Sequence, residues 1–338
     1  MTQDEIVIRR AVVHILDGEL GYPVFSEQEL ELSPDINDFL RAHLYKVLSG
    51  DDLKKCYFSE EEPSEVHELV QNLQEENLVA VSKQLTERLY AIMNANISIP
   101  SADLVTVTFQ MQGKRYLALL EMNYKESFVH MTQAEESGNV NRIIRYRSTL
   151  PATGSKLAEA VIIDLQDTSV QIVEKKYDIN GAKVNYLSEL FLKCQASMSS
   201  KSRLAIVTKA VDQVNRKYFE EEPVKQMEAK SIIKQELEEN QGSIRVDAIS
   251  EKIYGDTPEI KEEFDAKLEK YHMEKAEVHP QSEQTTRKFE KQYLKTDTGI
   301  EINIPMEQYQ DINQVEFITN EDGTISVLIK NINKILTR

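Results

Sequence analysis

The sequence contains no tryptophan, only two cysteines and no long apolar run. No stretch approaches the roughly 18 consecutive apolar residues that a membrane-spanning helix needs, so we expect no membrane segment. The N-terminus has acidic residues where a secretory signal has cations, which favours a cytoplasmic protein. Cys56 and Cys194 form no Cys-x-x-Cys pair, and cytoplasmic thiols stay reduced. We therefore expect two buried or idle thiols rather than a disulfide.

Sequence motifs of catalysis are also missing. There is no GxxxxGK[ST], GxGxxG or GxSxG segment, and the six histidines lack metal-ligand spacing. His14 and Asp17, at the end of a predicted first strand, could position a general base. Residues three apart on a strand point to opposite faces, which favours a structural histidine beside a turn-forming aspartate. We expect no enzyme, no cofactor and no metal site; a nuclease using His14 and Asp17 is the weaker alternative.

Acidic residues are in excess, but they are unevenly distributed. The formal net charge is -17 at pH 7, from 57 acidic residues and 40 lysines and arginines. Residues 139–217 nevertheless contain thirteen cations and seven acids, a local balance of +6. Exposed charges more than about 10 Å apart are largely screened at moderate salt. A local basic surface can therefore bind a polyanion although the whole chain is acidic.

Hydrophobic periodicity predicts an α+β fold. Strands are indicated over 6–16, on both sides of the Gln112-Gly113 turn, and on both sides of Gln166-Asp167. Helices are predicted over 34–48, 64–94, 182–193, 200–219, 223–239, 244–254 and 258–272, and a last hairpin surrounds Asp322-Gly323. We expect an α+β domain with an antiparallel sheet (residues 1–178). A mainly helical domain closed by a β-hairpin follows (residues 179–338).

The helix predicted over 200–219 is amphipathic and basic. Its apolar stripe consists of Leu204, Val207, Val211, Val214 and Tyr218. Cations occupy the remaining surface, and serines precede the first turn, where a phosphate could bind. On pattern alone, a solvated helix face is the alternative. The predicted DNA-contacting residues are Lys193, Lys201, Arg203, Lys209, Arg216, Lys217, Arg142, Arg145 and Arg147.

Two segments, 177–214 and 296–332, resemble the bacterial nucleoid-associated family typified by NdpA (also called YejK), in a Gram-positive-type form. The matching positions are Tyr186-Leu187, Phe191, Lys201, Ala210-Val211-Asp212, Gly299 to Ile304 and Asp322 to Ile325. The resemblance implies a non-catalytic nucleoid protein that binds double-stranded DNA without strong sequence preference. It also suggests a type II topoisomerase or another nucleoid protein as partner, and a homo-oligomer. An acidic adaptor that reaches DNA only through such a partner is the alternative.

Overall fold

The computed structural model describes residues 1–59, 62–136, 138–220 and 222–336. The chain forms two compact units, Met1–Met198 and Ser199–Arg338, which we call unit 1 and unit 2. Helices and antiparallel strands occur in both, so the predicted α+β class is confirmed. The units divide after Met198, whereas the sequence pattern put the division after residue 178. The intervening segment belongs to unit 1 because Cys194–Ala196 is a strand of the unit 1 sheet.

The strands of unit 1 are β1 (Val7–Leu16), β2 (Lys54–Phe58), β3 (Ala102–Met111), β4 (Lys114–Asn123), β5 (Lys125–Glu135), β6 (Gly138–Thr149), β7 (Glu159–Asp164), β8 (Val170–Val173), β9 (Tyr177–Ile179), β10 (Ala182–Val184) and β11 (Cys194–Ala196). In the described part of unit 1, seven of them form an antiparallel sheet with the strand order β1-β3-β4-β7-β8-β2-β11. The predicted first strand and the hairpins β3–β4 and β7–β8 are confirmed. Each had alternating or β-branched residues next to a turn signal.

Helices cover both faces of this sheet. The helices of unit 1 are α1 (Pro34–Leu48), α2 (Glu65–Gln71) and α3 (Leu78–Ala95), with 3-10 turns at Gln3–Glu5 and Glu75–Asn77 and a π-helical turn at Leu187–Leu192. Leu44 of α1 belongs to the same buried cluster as Val105, whereas Leu85 of α3 belongs to the cluster that contains Leu104. The two clusters separate because successive residues of a strand point to opposite faces of the sheet.

Two of the predicted helices in unit 1 are wrong. The helix predicted over 64–94 is interrupted, because Asn77 Oδ1 accepts a hydrogen bond from the Gln74 backbone at 2.8 Å and Asn77 Nδ2 donates to the Asn72 carbonyl at 2.9 Å. Such local side-chain bonds compete with the helical backbone pattern. The helix predicted over 182–193 is strand β10 followed by the π-helical turn. That turn ends at Lys193, whose φ of 50° lies in the left-handed region.

The two cysteines form a disulfide, so the expectation of two separate thiols is wrong. Cys56 lies on β2 and Cys194 on β11, which are neighbouring antiparallel strands. Their Cα atoms are 5.9 Å apart, within the range that a disulfide spans. The sequence separation of 138 residues concealed this proximity, because strand pairing brings the two positions together.

The β5–β6 hairpin is set apart from the unit 1 sheet. Among the described residues, its two strands pair with each other and with no further strand. All β5 side chains are exposed, and Phe128 keeps 73% of its surface accessible. On β6, Ile143 is 78% accessible. The hairpin therefore presents a long two-stranded surface that carries both apolar and charged side chains.

Unit 2 begins with a helical group and ends in paired short strands. Its helices are α4 (Ser200–Tyr218), α5 (Pro223–Glu239), α6 (Val246–Tyr254), α7 (Pro258–Glu269), α8 (Glu283–Thr286) and α9 (Met306–Tyr309). Its strands are β12 (Ile244–Arg245), β13 (Glu277–Val278), β14 (Lys291–Lys295), β15 (Glu301–Pro305), β16 (Val315–Thr319) and β17 (Ile325–Ile329). The predicted helical region with a terminal hairpin is confirmed, and β16–β17 is that hairpin.

The core of unit 2 forms around α4. Val207 and Val211 of this helix are buried in one cluster with Ile233 of α5, Ile249 of α6 and Phe264 of α7. Burial of this stripe leaves the rest of α4 for solvent or a ligand, as the amphipathic pattern predicts. In the described ranges, none of the helices combines the length and apolar character needed to cross a bilayer.

Candidate nucleic-acid interface

Helix α4 presents most of its cations away from the core. Ser199 caps its N-terminus, where the side-chain oxygen accepts a hydrogen bond from the Ser202 backbone at 3.2 Å. The four predicted apolar positions up to Val214 are buried, whereas Tyr218 is 39% exposed. The exposed cations of the helix are Lys201, Lys209, Arg216 and Lys217, and Arg203 is half-buried. The predicted amphipathic arrangement of α4 is therefore present in the structure.

Lys217 is already engaged by a carboxylate. Its Nζ lies 2.5 Å from Glu263 Oε2, and the Tyr218 hydroxyl donates to the same oxygen at 2.6 Å. Hydrogen bonds from these two groups lower the pKa of Glu263 to about 2. The carboxylate therefore stays ionised and neutralises Lys217 locally. A phosphate would have to displace Glu263 to bind Lys217.

Four of the predicted DNA-contacting residues belong to unit 1. Arg142, Arg145 and Arg147 lie on β6 of the exposed hairpin, and Lys193 follows the π-helical turn. Arg142 pairs with Glu135 at 3.1 Å, Arg145 pairs with Glu126, and Lys193 pairs with Glu62 at 3.4 Å. These ion pairs are exposed and contribute little to stability, but a phosphate must displace the carboxylate to reach each cation. The sequence-predicted set thus divides into one group on each unit.

A groove of about 890 Å³ lies beside α4 in unit 2. Helices α4 and α5 and the strands of the two C-terminal hairpins form its walls. Arg216 is the sequence-predicted residue that lines it. Three further cations line it as well, Lys230, Lys288 and Lys295, of which Lys295 pairs with Glu301 at 3.0 Å. Lys230 lies on α5, and Lys288 lies in a 3-10 turn at Arg287–Phe289. Sequence inspection missed both lysines because they fall outside the basic segment and meet α4 only in the folded unit.

Lys230 and Lys288 lie near each other, and each is partly shielded from water. Lys230 Nζ donates to the Lys291 carbonyl at 2.6 Å and lies 5.5 Å from the centre of the Tyr293 ring. Lys288 Nζ lies 3.5 Å from Thr208 Oγ1. Loss of hydration lowers the pKa of both lysines, and the charge of Lys288 lowers that of Lys230 further. The Asp212 carboxylate has the opposite effect on both groups.

This arrangement favours a bound anion. Among the residues that the structure describes, neither Lys230 nor Lys288 has a carboxylate oxygen within 4.0 Å, whereas the third groove lysine, Lys295, is paired with Glu301. An ammonium group that has lost part of its hydration gains more from a phosphate oxygen than a fully hydrated one does. Asp212 and Asp297 also line the groove, but in the described part of the chain no carboxylate contacts Lys230 or Lys288 directly, so both ammonium groups can bind a phosphate.

His14 and Asp17, the candidate catalytic pair, are both engaged in hydrogen bonds within the fold. His14 is buried, with Nε2 2.9 Å from Ser82 Oγ and Nδ1 accepting from the Ser26 backbone at 3.0 Å. Burial lowers the pKa of His14 to about 4, so the ring is neutral at physiological pH. Asp17 Oδ1 accepts a hydrogen bond from Ser101 Oγ at 3.2 Å. In the described ranges, no cluster of three or more His, Cys, Asp or Glu side chains could hold a metal ion.

Comparison with known protein families identifies the family of this chain. The family model for the nucleoid-associated protein YejK matches residues 12–337, nearly the whole chain. The chain belongs to that family. Membership makes it a protein of the bacterial nucleoid, located in the cytoplasm, in a family that is generally non-catalytic. A search of curated proteins gives no match. The predicted family, class and location are confirmed.

Proposed function

We propose that this protein binds double-stranded DNA directly, through phosphate contacts made by the outer face of α4 and the adjacent groove of unit 2. The observation that carries the proposal is the pair Lys230 and Lys288, which lies beside Arg216 without a carboxylate partner among the described residues. Lys209 lies seven residues before Arg216, two turns earlier on the same side of α4. Together these residues extend the groove into a mainly basic strip, which Asp212 interrupts between Lys209 and Arg216.

Phosphate contacts of this kind position a protein on DNA without reading its sequence. Lysine binds a phosphate as a point charge, a contact that carries no information about the base. The proposed binding is therefore weakly sequence-dependent and strongly salt-dependent, because each neutralised phosphate releases counterions. The acidic remainder of the chain confines the contact to this strip.

Binding of purified, nuclease-treated protein to a mixed-sequence duplex tests the proposal. Fluorescence anisotropy is recorded between about 50 and 300 mM salt, and we expect log K to fall linearly with log salt. Replacing Lys230 and Lys288 together by glutamine should lower the steepness of this line by about two, since each phosphate contact contributes about 0.9. The matched control replaces Lys225 and Lys270, which lie outside the groove lining, by glutamine.

Equal losses in the two double variants would show that general charge, not the groove, drives binding. Absence of binding at the lowest salt would favour the acidic adaptor, which the net charge of -17 supports. An adaptor should instead recover a basic partner, such as a type II topoisomerase, from a nuclease-treated lysate. That partner should be lost when salt screens the acidic surface.

A further inference from the structure

A second cavity, of about 680 Å³, lies in unit 1. Its walls come from β1, the β3–β4 hairpin, the end of α2 with the 3-10 turn that follows, and the loop between β7 and β8. A cavity of this size is within the range that encloses a small ligand. None of the sequence-predicted site residues lines it, and it belongs to a different unit from the proposed DNA groove.

A β-bulge directs two adjacent arginines to this cavity. In the β1–β3 ladder Ile8 pairs with Phe109 and Arg10 with Thr108, so that Arg9 is an extra residue on β1. In a regular strand two successive side chains point to opposite faces. Here both Arg9 and Arg10 line the cavity. Bulges commonly re-aim side chains next to functional sites, and this one gathers two guanidinium groups that a regular strand would separate.

The lining of the cavity is cationic. Arg115 from β4 is its third arginine, and Glu75 is the one carboxylate residue among the described lining residues. Arg10 Nε pairs with Glu29 at 3.1 Å, and an Arg9 nitrogen donates to Gln110 Oε1 at 2.5 Å. Among the described residues, Arg115 has no carboxylate oxygen within 4.0 Å. A guanidinium that is free of a carboxylate is the side chain best shaped for two-point contact with a phosphate.

The remaining walls of the cavity can contact the non-phosphate part of such a ligand. Amide side chains of Gln71, Gln74 and Gln166 provide both donors and acceptors, and Tyr116 and Leu165 add apolar surface. We infer that the unit 1 cavity binds a small phosphorylated molecule of the nucleotide class. The arginines hold the phosphate, and the amides and the apolar wall hold the base or sugar. This inference is independent of the DNA groove.

Isothermal titration calorimetry of the full-length protein with ATP, GTP and adenosine tests the inference. Both nucleotides should bind with a Kd between micromolar and millimolar, and adenosine should bind at least about tenfold more weakly because it lacks the phosphates. The variant R9Q/R115Q should weaken nucleotide binding by at least about tenfold. The matched control is R41Q/R88Q, which removes two arginines of unit 1 that lie outside the cavity lining.

Three outcomes would overturn the inference. These are failure of both nucleotides to bind the native protein, an equal loss in the control variant, and full displacement of nucleotide by duplex DNA. Equal melting temperatures for the native protein and both variants exclude unfolding as the cause of a loss. The conservative variant R9K/R115K keeps the charge but lacks the planar fork, so it should bind nucleotide more weakly than the native protein does.

Discussion

Glu121 and Glu159 lie directly opposite each other on β4 and β7, and both carboxylates are buried. The Tyr186 hydroxyl contacts both oxygens of Glu121 at 2.7 Å, and the Tyr177 hydroxyl donates to Glu159 Oε1 at 2.7 Å. Burial, followed by the charge of Glu159, raises the pKa of Glu121 to about 8. The pair therefore retains a proton at neutral pH, which relieves the repulsion of two adjacent carboxylates.

This pair predicts a loss of stability as the pH rises from 4.5 to about 8. The folded pKa of Glu121 is about 8 against an ordinary value of 4.5, so the folded state binds the extra proton between these limits. Its contribution to the free energy of unfolding is complete below pH 4.5 and is lost as pH rises through 8. The variant E121Q removes this titration and should be more stable than the native protein at pH 9, by up to about 5 kcal/mol.

Urea unfolding at acidic, neutral and alkaline pH measures this effect. E121Q should show a shallower fall in stability between pH 4.5 and about 8 than the native protein, with the two curves meeting near pH 4.5 and running parallel above 8. The control E87Q changes a carboxylate on α3 that lies outside this buried pair. Identical pH profiles for the native protein and E121Q would contradict the assignment of a shared proton to the pair.

Charge reversal on α4 provides a test of the sequence-predicted part of the DNA surface. Changing Lys201, Arg203 and Lys209 to glutamate should abolish duplex binding, because repulsion replaces attraction along the helix. The fold should persist, since the apolar stripe of α4 that packs in the core is unchanged. Circular dichroism and melting temperature report the fold, and anisotropy reports the binding. Native-like affinity in a folded triple variant would remove this face of α4 from the interface.

The hairpin arginines should contribute less than the groove lysines. Arg142 and Arg145 already pair with Glu135 and Glu126, so a phosphate must compete with a carboxylate for each. Changing Arg142, Arg145 and Arg147 to glutamine should reduce affinity by less than the groove double variant does. Anisotropy titrations of both variants at several salt concentrations give the two losses of DNA affinity to be compared. A larger loss from the hairpin variant would place the main contact on the β5–β6 ribbon.

The disulfide should stabilise unit 1. It closes a loop across 138 residues, and in the chain-entropy model restricting so long a loop in the unfolded chain contributes up to about 5 kcal/mol. The variant C56S/C194S should therefore unfold at lower urea concentration than the oxidised protein. Reductant should lower the unfolding midpoint of the native protein to a similar concentration. Mass spectrometry after alkylation checks the bond itself. Two alkylated thiols in protein purified without reductant would contradict the bond.

Local patterns predicted individual elements well where each element was decided by its own residues. Helix α1 begins and ends where the Ser33-Pro34 start and its apolar spacing predicted. The β3–β4 and β16–β17 hairpins follow from alternation on both sides of a turn. The interrupted helix near Asn77 and the turn ending at Lys193 were mispredicted. Side-chain hydrogen bonds at the first and strand pairing at the second outweighed helical spacing.

The amino-acid sequence by itself determined the family, the α+β class and the basic, amphipathic character of α4. These depend on residue order and on periodicity, which are present in the chain before it folds. Only the tertiary structure decided which distant residues meet. Strand pairing joined Cys56 to Cys194 and placed Glu121 opposite Glu159, a bulge brought Arg9 beside Arg10 in one cavity, and helix packing set Lys230 near Lys288. Contacts of this kind arise from the burial of apolar surface over the whole unit, a long-range constraint that no short segment of sequence contains.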